Sequence, residues 1–247
     1  RDPEPVSENL DDLGRLVRAT DADVGIAHDG DADRAIFFDE HGEYVEGDAS
    51  LAALAAEALE PGDAAVAAVN VSQRLVDVCD DVGADLELTP IGATNIITRI
   101  QELQAEGRRV PISGEGNGGI FFPNYRLVRD GAFIAAKFLE LLAKRGEPPS
   151  AVVGPYTAYE NVRRNLSYEK ERELSAMLDA ADEFAAEADV EASTVDGYRL
   201  DYGDAWVLVR PSGTEPKVRI YAEARERERA VELADAVEGE LAAALED

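Results

Sequence analysis

The feature that most constrains the fold is a regular alternation of helical and extended patterns between residues 49 and 145. Short apolar runs such as AAVAAV, at 64–69, take turns with segments whose apolar residues recur at helical spacing, such as 73–82 behind Ser72. Such alternation favours an α/β fold class, with helices packed on a mostly parallel, mixed sheet. The predicted helices cover 49–59, 73–82, 94–105 and 131–145, and the predicted strands cover 64–69, 86–89, 110–114 and 119–123.

The order of elements differs on either side of this region. A helix and two strands come first, and the strands enclose the sequence HDGDADR at 28–34. The stretch at 144–155 is rich in Gly and Pro and is a candidate linker. After it come a strand, a long polar helix, three strands and a final helix, which predict a small α+β domain with an antiparallel sheet.

The charge of the chain excludes several classes of partner. There are 52 acidic residues against 24 basic ones, and the net charge of −28 repels both nucleic acids and anionic membranes. No apolar run approaches the roughly 20 residues that a membrane-spanning helix requires. Acids spread along the whole chain are typical of a halophilic, cytoplasmic protein. Salt at about 1 M shortens the Debye length to about 3 Å and so screens the repulsion between these acids. The single cysteine, Cys79, is predicted to be a buried thiol in a reducing cytoplasm.

The segment at 28–34, which we call the aspartate loop, has acids at alternate positions between two strands. Asp29, Asp31 and Asp33 can converge on Mg²⁺, which prefers oxygen ligands, or can be solvated acids at a hairpin tip. Calcium binding by an EF-hand is a third interpretation, because Glu40 follows at loop position 12. It fails because position 6 is Arg34 instead of glycine and because strands flank the loop.

A glycine-rich loop at 113–123, SGEGNGGIFFP, joins two predicted strands. Its glycines, which include Gly118 and Gly119, free backbone amides to approach a small polar ligand. Glu115 and Asn117 together can accept hydrogen bonds from, and donate them to, the hydroxyls of a sugar. A flexible turn without a ligand is the alternative interpretation of the same residues.

A basic loop at 209–219, VRPSGTEPKVR, runs against the acidic trend of the chain. Arginines give paired donors and a turn of amides can hold an anion, so this composition favours phosphate binding. Lys217 can instead pair with Glu215, and Arg219 can point away from its strand, so neither counts as a ligand. The candidate phosphate ligands are Arg210, Ser212, Gly213 and Thr214.

The three loops, in this order and at this separation, resemble those of the α-D-phosphohexomutase family. This family includes phosphoglucomutases, phosphomannomutases and phosphoglucosamine mutases. The resemblance extends over essentially the whole chain, including TPIG at 89–92 and RDGAFIAAK at 129–137. It implies a four-domain, Mg²⁺-dependent isomerase that interconverts hexose 1-phosphate and hexose 6-phosphate through a sugar bisphosphate. By this resemblance, 1–48 is the end of domain 2, 49–150 is domain 3 and 151–247 is domain 4.

The resemblance also implies a role for each loop. Mg²⁺ would be held by Asp29, Asp31 and Asp33. The catalytic Arg34 would lie beside the transferring phosphoryl group. Sugar hydroxyls would be bound by Glu115, Asn117, Gly118 and Gly119. The phosphate that does not react would be bound by Arg210, Ser212, Gly213 and Thr214.

This sequence departs from the family pattern at several points. The family carries its phosphoryl group on a serine in a Ser-His-Asn-Pro type loop, and these residues contain no Ser-His dipeptide. We therefore expect a fragment that needs the N-terminal domains as partners and does not turn over alone. A histidine that often ends the sugar loop is replaced by Gly119. Ala93 and Thr94 stand where relatives have larger polar residues, so the hexose preferred is not predicted.

Two other functions fit part of the pattern. The absent serine, together with Asn117 and Gly119, is compatible with a non-catalytic module that binds sugar phosphates. The D-x-D string is compatible with a Mg²⁺ phosphatase that uses Asp29 as its nucleophile. His28, at the start of the aspartate loop, could be a general base, but we interpret it as a packed or capping residue. Arg129 could reach a phosphate, but we interpret it as part of a solvated connection.

Overall fold

The computed structural model describes residues 5–190, 192–213 and 215–245 and divides into two compact units. The first unit extends to Thr157 and the second begins at Ala158. The candidate residue Thr214 lies outside the described residues. The division at 48/49 and 150/151 remains a prediction.

The first unit contains the predicted mixed α/β domain. Its central sheet has the strand order β5-β4-β6-β7, where β4 is parallel to both β5 and β6 and β7 is antiparallel to β6. The mixed-sheet α/β prediction is therefore confirmed. The strands are β4 (Ala64–Ala68), β5 (Asp85–Thr89), β6 (Ser113–Glu115) and β7 (Gly119–Phe121).

Helices cover both faces of strand β4. Ala65 and Ala67 pack into a core with residues of α2, α3 and α5, whereas Val66 packs against α4 on the opposite face. A parallel strand that is buried on both faces must be apolar at every position, which explains the run AAVAA. The helices are α2 (Gly47–Ala58), α3 (Gln73–Val82), α4 (Ala93–Ala105) and α5 (Gly131–Arg145).

A smaller layer precedes this sheet. Strand β2 is central in the antiparallel order β1-β2-β3, and its side chains alternate between two cores. Phe38 packs in a core with residues of α1, while Phe37 stacks on Phe138 of α5 at 4.1 Å between ring centroids. The aspartate loop, which joins β1 to β2, is thereby held near the start of α5. The elements are α1 (Asp11–Thr20), β1 (Gly25–Ala27), β2 (Ile36–Phe38) and β3 (Tyr44–Val45).

The structure differs from the predicted linker at 144–155. Helix α6 (Pro149–Val153) lies there, and Val152 and Val153 are 0% and 5% exposed in the core of the first unit. Proline is favoured in the first turn of a helix as well as in linkers, so its presence does not distinguish the two structures. The boundary between the units follows at Thr157.

The second unit is the predicted α+β domain with an antiparallel sheet, and that prediction is confirmed. Its strand order is β8-β12-β11-β10-β9, and each neighbouring pair is antiparallel. Val218 and Ile220 of β12 share a core with residues of both helices of the unit. The elements are β8 (Glu160–Ser167), α7 (Glu171–Glu187), β9 (Ala192–Ser193), β10 (Tyr198–Asp201), β11 (Ala205–Pro211), β12 (Lys217–Ala224) and α8 (Arg227–Ala243).

The helices of the described residues include none that combines the length and the apolar character needed to cross a bilayer.

Candidate functional site

The aspartate loop brings its acids together. Asp29, Asp31 and Asp33 each offer a carboxylate oxygen, and these oxygens lie within 4.8 Å of one another. Ligand oxygens of an octahedral Mg²⁺ with bonds of about 2.1 Å are separated by about 3 to 4 Å. Three carboxylates at this spacing are therefore close to the arrangement that the ion requires.

One contact within the loop and one with the start of α5 hold the loop in this form. His28 donates a hydrogen bond of 2.7 Å from Nδ1 to the Arg34 carbonyl, and the Gly131 amide donates one of 3.0 Å to the Ala32 carbonyl. A side chain at Gly131 would lie 2.4 Å from the Arg34 carbonyl, so only glycine permits this approach. The interpretation of His28 as a packed residue agrees with this contact.

Asp33 has one unsatisfied oxygen and lies close to two other acids. Its Oδ1 is buried without a hydrogen-bond partner among the described residues. Burial raises the pKa of Asp33, the charge of Arg129 lowers it, and the nearby charges of Asp29 and Asp31 raise it further. A cation between these carboxylates would relieve both the repulsion and the unsatisfied oxygen, and hard oxygen donors suit Mg²⁺.

Arg34 lies against the same carboxylates. Its Nε is 3.1 Å from Oδ2 of Asp29 and 3.8 Å from Oδ1 of Asp33. Its backbone amide donates a hydrogen bond of 3.2 Å to Oδ1 of Asp29. The guanidinium is thus available beside the loop to stabilise a further anion.

The glycine-rich loop is seated between α2 and the strand that follows the aspartate loop. The Ala35 amide donates a hydrogen bond of 3.1 Å to the Gly118 carbonyl. A side chain at Gly118, where φ is +86°, would lie 2.7 Å from the Ala35 carbonyl, and one at Gly47 would lie 2.4 Å from the Gly116 carbonyl. Glycine at these positions lets the backbone of the glycine-rich loop approach both the start of α2 and Ala35, the residue that directly follows the aspartate loop.

Asn117 closes the turn of the glycine-rich loop. Its Oδ1 accepts a hydrogen bond of 3.0 Å from the Gly119 amide. Asn117 is exposed, whereas Gly118 and Gly119 are buried. With Oδ1 occupied by the turn, the amide nitrogen of Asn117 is the group that could donate to a ligand.

Arg129 connects the two candidate loops, and its interpretation as part of a solvated connection is wrong. Its Nη1 donates a hydrogen bond of 2.6 Å to Oε2 of Glu115, and its Nη2 donates one to Oδ2 of Asp33. The side chain is 17% exposed. Asp130 caps α5 by accepting a 3.1 Å bond from the Phe133 amide, so Arg129 is fixed directly before a helix. The sequence RDG at the start of a predicted helix could have indicated that Arg129 is held in place.

The basic loop lies in the second unit, between β11 and β12. Arg210, near the end of β11, forms an ion pair of 3.1 Å between its Nε and Oδ2 of Asp196. The Ser212 amide donates a hydrogen bond of 2.8 Å to the Lys217 carbonyl, and Ser212 Oγ accepts a hydrogen bond of 3.3 Å from the Glu215 amide. The loop is therefore closed on itself, with Gly213 exposed at its tip.

The remaining cations of the basic loop are paired internally, as the sequence suggested for Lys217. Lys217 and Arg219 contact the two carboxylate oxygens of Glu215 at 2.9 Å and 2.8 Å. Hydrogen bonds from these cations lower the pKa of Glu215 below its usual range. Arg210 is accordingly the arginine of this loop that is not bound to Glu215.

Models of the domains of one protein family match nearly all of the chain. Residues 1–42 match domain II of phosphoglucomutase/phosphomannomutase, an alpha/beta/alpha domain, and residues 46–159 match its alpha/beta/alpha domain III. Residues 167–240 match the C-terminal domain of the same family. The three matches follow one another in the order of the family's domains.

Individual relatives agree with these matches. The chain is 40% identical to a probable phosphoglucosamine mutase of Methanopyrus kandleri, over 95% of this chain and 51% of that protein. It is 38% identical to a phosphoglucomutase/phosphomannomutase of Thermococcus kodakarensis, over 94% of this chain and 50% of that protein. A crystal structure of a phosphoglucomutase/phosphomannomutase family protein from Burkholderia thailandensis superposes with a TM-score of 0.84 at 28% identity, covering 98% of this chain and 51% of that one.

The chain spans about half the length of the curated relatives that it matches. Three successive domain matches to one family, together with relatives of that family, extend along almost the whole chain. The chain belongs to the phosphoglucomutase/phosphomannomutase family.

Proposed function

We propose that this chain supplies the metal, sugar and distal phosphate sites of a Mg²⁺-dependent phosphohexomutase. The reaction is the interconversion of hexose 1-phosphate and hexose 6-phosphate through a sugar bisphosphate. In this proposal residues 1–48 are the end of domain 2, residues 49–150 are domain 3 and residues 151–247 are domain 4. A cytoplasmic location and adaptation to salt are part of the same proposal, on the basis of the net charge of −28.

The observation that carries the proposal is the link made by Arg129 between Asp33 and Glu115. A metal site alone would fit many enzymes, and a glycine-rich turn alone would fit many binding proteins. One guanidinium that contacts both loops supports a single site in which a cation and sugar hydroxyls are held side by side. A mutase needs this combination, because the phosphoryl group must meet a hydroxyl beside the metal.

Each candidate residue then has a chemical task. Mg²⁺ bound by Asp29, Asp31 and Asp33 would neutralise charge on the phosphoryl group during transfer. The guanidinium of Arg34, beside these carboxylates, stabilises the same phosphoryl oxygens. Glu115 accepts hydrogen bonds from sugar hydroxyls, and Asn117 donates to them from its amide nitrogen.

The basic loop holds the phosphate that does not react. Arg210 provides guanidinium donors, Ser212 provides a hydroxyl, and Gly213 provides an exposed backbone amide. Thr214, which lies outside the described residues, would add a second hydroxyl. Holding the distal phosphate fixes which end of the sugar faces the transferring group.

The phosphoryl carrier is not proposed among these residues. They contain no Ser-His dipeptide, and the chain spans about half of its relatives. We propose that the serine is contributed by N-terminal domains of the same polypeptide and that the 247 residues alone do not turn over.

A coupled mutase assay on the 247-residue chain and on the intact polypeptide tests the proposal. Glucose, mannose and glucosamine 1-phosphates are supplied singly and in competition, with Asp31→Asn as the inactive variant and the exposed Asp23→Asn as its matched control. We expect turnover in the intact protein, loss of turnover in Asp31→Asn, and none in the fragment. Robust turnover by the fragment would contradict the assigned roles. Binding of hexose phosphate without turnover by the intact protein would instead support a binding module.

A further inference from the structure

Arg210 is held by a carboxylate from a separate turn of the sheet. Asp196 lies between β9 and β10, 14 residues before Arg210 in the sequence. Its Oδ2 is 3.1 Å from Nε of Arg210, and the two side chains are only 18% and 14% exposed. A charge pair so far removed from solvent is screened less by salt than a surface pair. The contact is an ion pair to the inner nitrogen of the guanidinium.

The turn that carries Asp196 is fixed against the backbone of β11. Gly197 has a φ of +83°, and a side chain there would lie 2.1 Å from the Val209 carbonyl and 2.7 Å from Cβ of Arg210. An L-residue is strained at this φ, and no side chain fits this space. Asp196 therefore approaches Arg210 from a turn whose position is set by backbone contact.

The register of the sheet explains why Arg210 needs this partner. Arg210 is paired directly with Arg219 across β11 and β12. Like charges directly opposite each other destabilise a strand pair. Arg219 is bound to Glu215 at 2.8 Å, and Arg210 is bound to Asp196. Each arginine thus has its own carboxylate, and the two guanidinium groups are drawn to different partners.

The contact places the Asp196 charge at the inner edge of the Arg210 guanidinium. Oδ2 of Asp196 is 3.1 Å from Nε, and the Nε–H has no hydrogen-bond partner among the described residues, so the attraction is one of charge and not of hydrogen-bond geometry. The terminal nitrogens of a guanidinium are the pair that can bind two oxygens of a phosphate monoester at once. A carboxylate fixed beside the inner nitrogen therefore restricts the positions that the terminal pair can take.

We propose that Asp196 is a positioning residue that orients the Arg210 guanidinium for phosphate. Without Asp196, Arg210 keeps its charge but loses its fixed direction, so that part of the binding free energy is spent on ordering the side chain. The inference rests on the proposed role of Arg210 in phosphate binding.

The test is titration of the 247-residue chain with inorganic phosphate, followed by NMR at the Ser212 and Gly213 amides. Asp196→Asn should weaken phosphate binding by roughly tenfold, by analogy with the lower end of the loss that follows removal of a group that orients a metal ligand. Asp204→Asn removes the same charge from an exposed residue of the same unit and should leave the affinity unchanged. Asp196→Glu should recover part of the loss.

A double variant separates positioning from general damage to the domain. In an Arg210→Ala background, Asp196→Asn should have no further effect on phosphate affinity, whereas a merely structural role would weaken binding in both backgrounds. Relaxation of the Arg210 Nε–Hε resonance in the ligand-free protein should show an ordered guanidinium that becomes mobile in Asp196→Asn.

The outcomes distinguish this inference from the function on which it rests. Equal phosphate affinity and equal Arg210 order in wild type and Asp196→Asn would overturn the positioning role and leave the phosphate site intact. No response of Ser212 and Gly213 to phosphate in the wild-type chain would overturn the proposed phosphate site, and the positioning role with it.

Discussion

Arg129 donates a hydrogen bond of 2.6 Å to Glu115, and both side chains are largely buried, at 17% and 13% exposed. The same guanidinium contacts Asp33 of the aspartate loop. Two segments that are 82 residues apart in the sequence, at Asp33 and Glu115, are therefore joined by one side chain. Movement of either loop must break or lengthen one of these bonds, so the state of the metal site is coupled to the state of the glycine-rich loop.

Loss of Arg129 is expected to destabilise the first unit. Arg129→Met keeps much of the side-chain length but removes the hydrogen-bonding partner of two largely buried carboxylates. We expect the free energy of unfolding to fall by about 2 kcal/mol, less than the roughly 3 to 5 kcal/mol for a fully buried pair. Urea denaturation measures the change. Arg126→Met is the matched control, because Arg126 is 52% exposed and its ion pair with Asp130 is 3.8 Å long. Equal effects of the two substitutions would contradict the proposed link.

An ion pair between a buried aspartate and an exposed arginine of the first unit should make stability depend on pH. Burial would raise the pKa of Asp63, but hydrogen bonds from Arg109 and from the Glu60 amide lower it below 3.8 overall. Arg109 meets Asp63 through two bonds of 2.6 Å. An acid whose pKa is lower in the folded state contributes stability above its unfolded pKa, and this contribution is lost as pH falls through the folded pKa.

Asp63→Asn should therefore lower the free energy of unfolding by about 1 to 2 kcal/mol at pH 7, a modest value because Arg109 is partly exposed. The difference between the two proteins should shrink progressively below about pH 4. Urea unfolding of both proteins at fixed ionic strength gives the comparison. The exposed pair of Asp85 and Arg108, at 2.5 Å, supplies the control, and Asp85→Asn should change stability by less than about 1 kcal/mol. A cost for Asp63→Asn that does not change with pH would show that the pair is not its source.

Alanine substitutions at two glycines distinguish the stability cost of a strained φ from the cost of a steric clash. Gly197 and Gly203 have φ values of +83° and +85°, but only Gly197 has atoms near the position of an added Cβ. Gly203→Ala should cost about 1 kcal/mol through its φ alone. Gly197→Ala adds a contact of 2.1 Å with the Val209 carbonyl and should cost more, about 3 kcal/mol in all. Thermal or urea unfolding of the two variants measures the loss of stability. Similar losses in both would mean that the turn at Gly197 does not pack against β11.

The single cysteine should be unreactive in the folded protein. Cys79 is 1% exposed, and burial, reinforced by Asp80 and Asp85, raises its pKa to about 12. The thiolate is the reactive form, so at pH 8 a thiol reagent should label Cys79 only when the chain unfolds. Labelling in buffer and in concentrated urea is compared. Fast labelling of the native protein would contradict both the burial and the raised pKa.

The parts of the fold that the sequence could predict are those with local causes. The apolar run AAVAA fits a strand buried on both faces, and β4 is such a strand. Asp29, Asp31 and Asp33 could be grouped from their spacing alone, because they share one short loop. Neither inference needed to know which distant segment packs nearby.

The parts that could not be predicted depend on contacts between distant segments. The sequence RDG marks a helix start, but nothing near Arg129 indicates Asp33, which is 96 residues away, and a short polar stretch alone favours a solvated interpretation. Proline and glycine at 144–155 are shared by linkers and helix starts, and only the burial of Val152 distinguishes the two. The pairing of Asp196 with Arg210 depends on the register of the second unit's sheet.

The claim that the aspartate loop and the glycine-rich loop form one site is tested most directly by adding Mn²⁺ to the 247-residue chain. Paramagnetic broadening of backbone amides reports which residues surround the ion, and excess Mg²⁺ should reverse it. We expect broadening at Asp31 and Asp33 together with Glu115 and Gly119, all of it abolished by Asp31→Asn. Broadening that spares the aspartate loop, or that reaches this loop but leaves Glu115 and Gly119 unaffected, would contradict the claim.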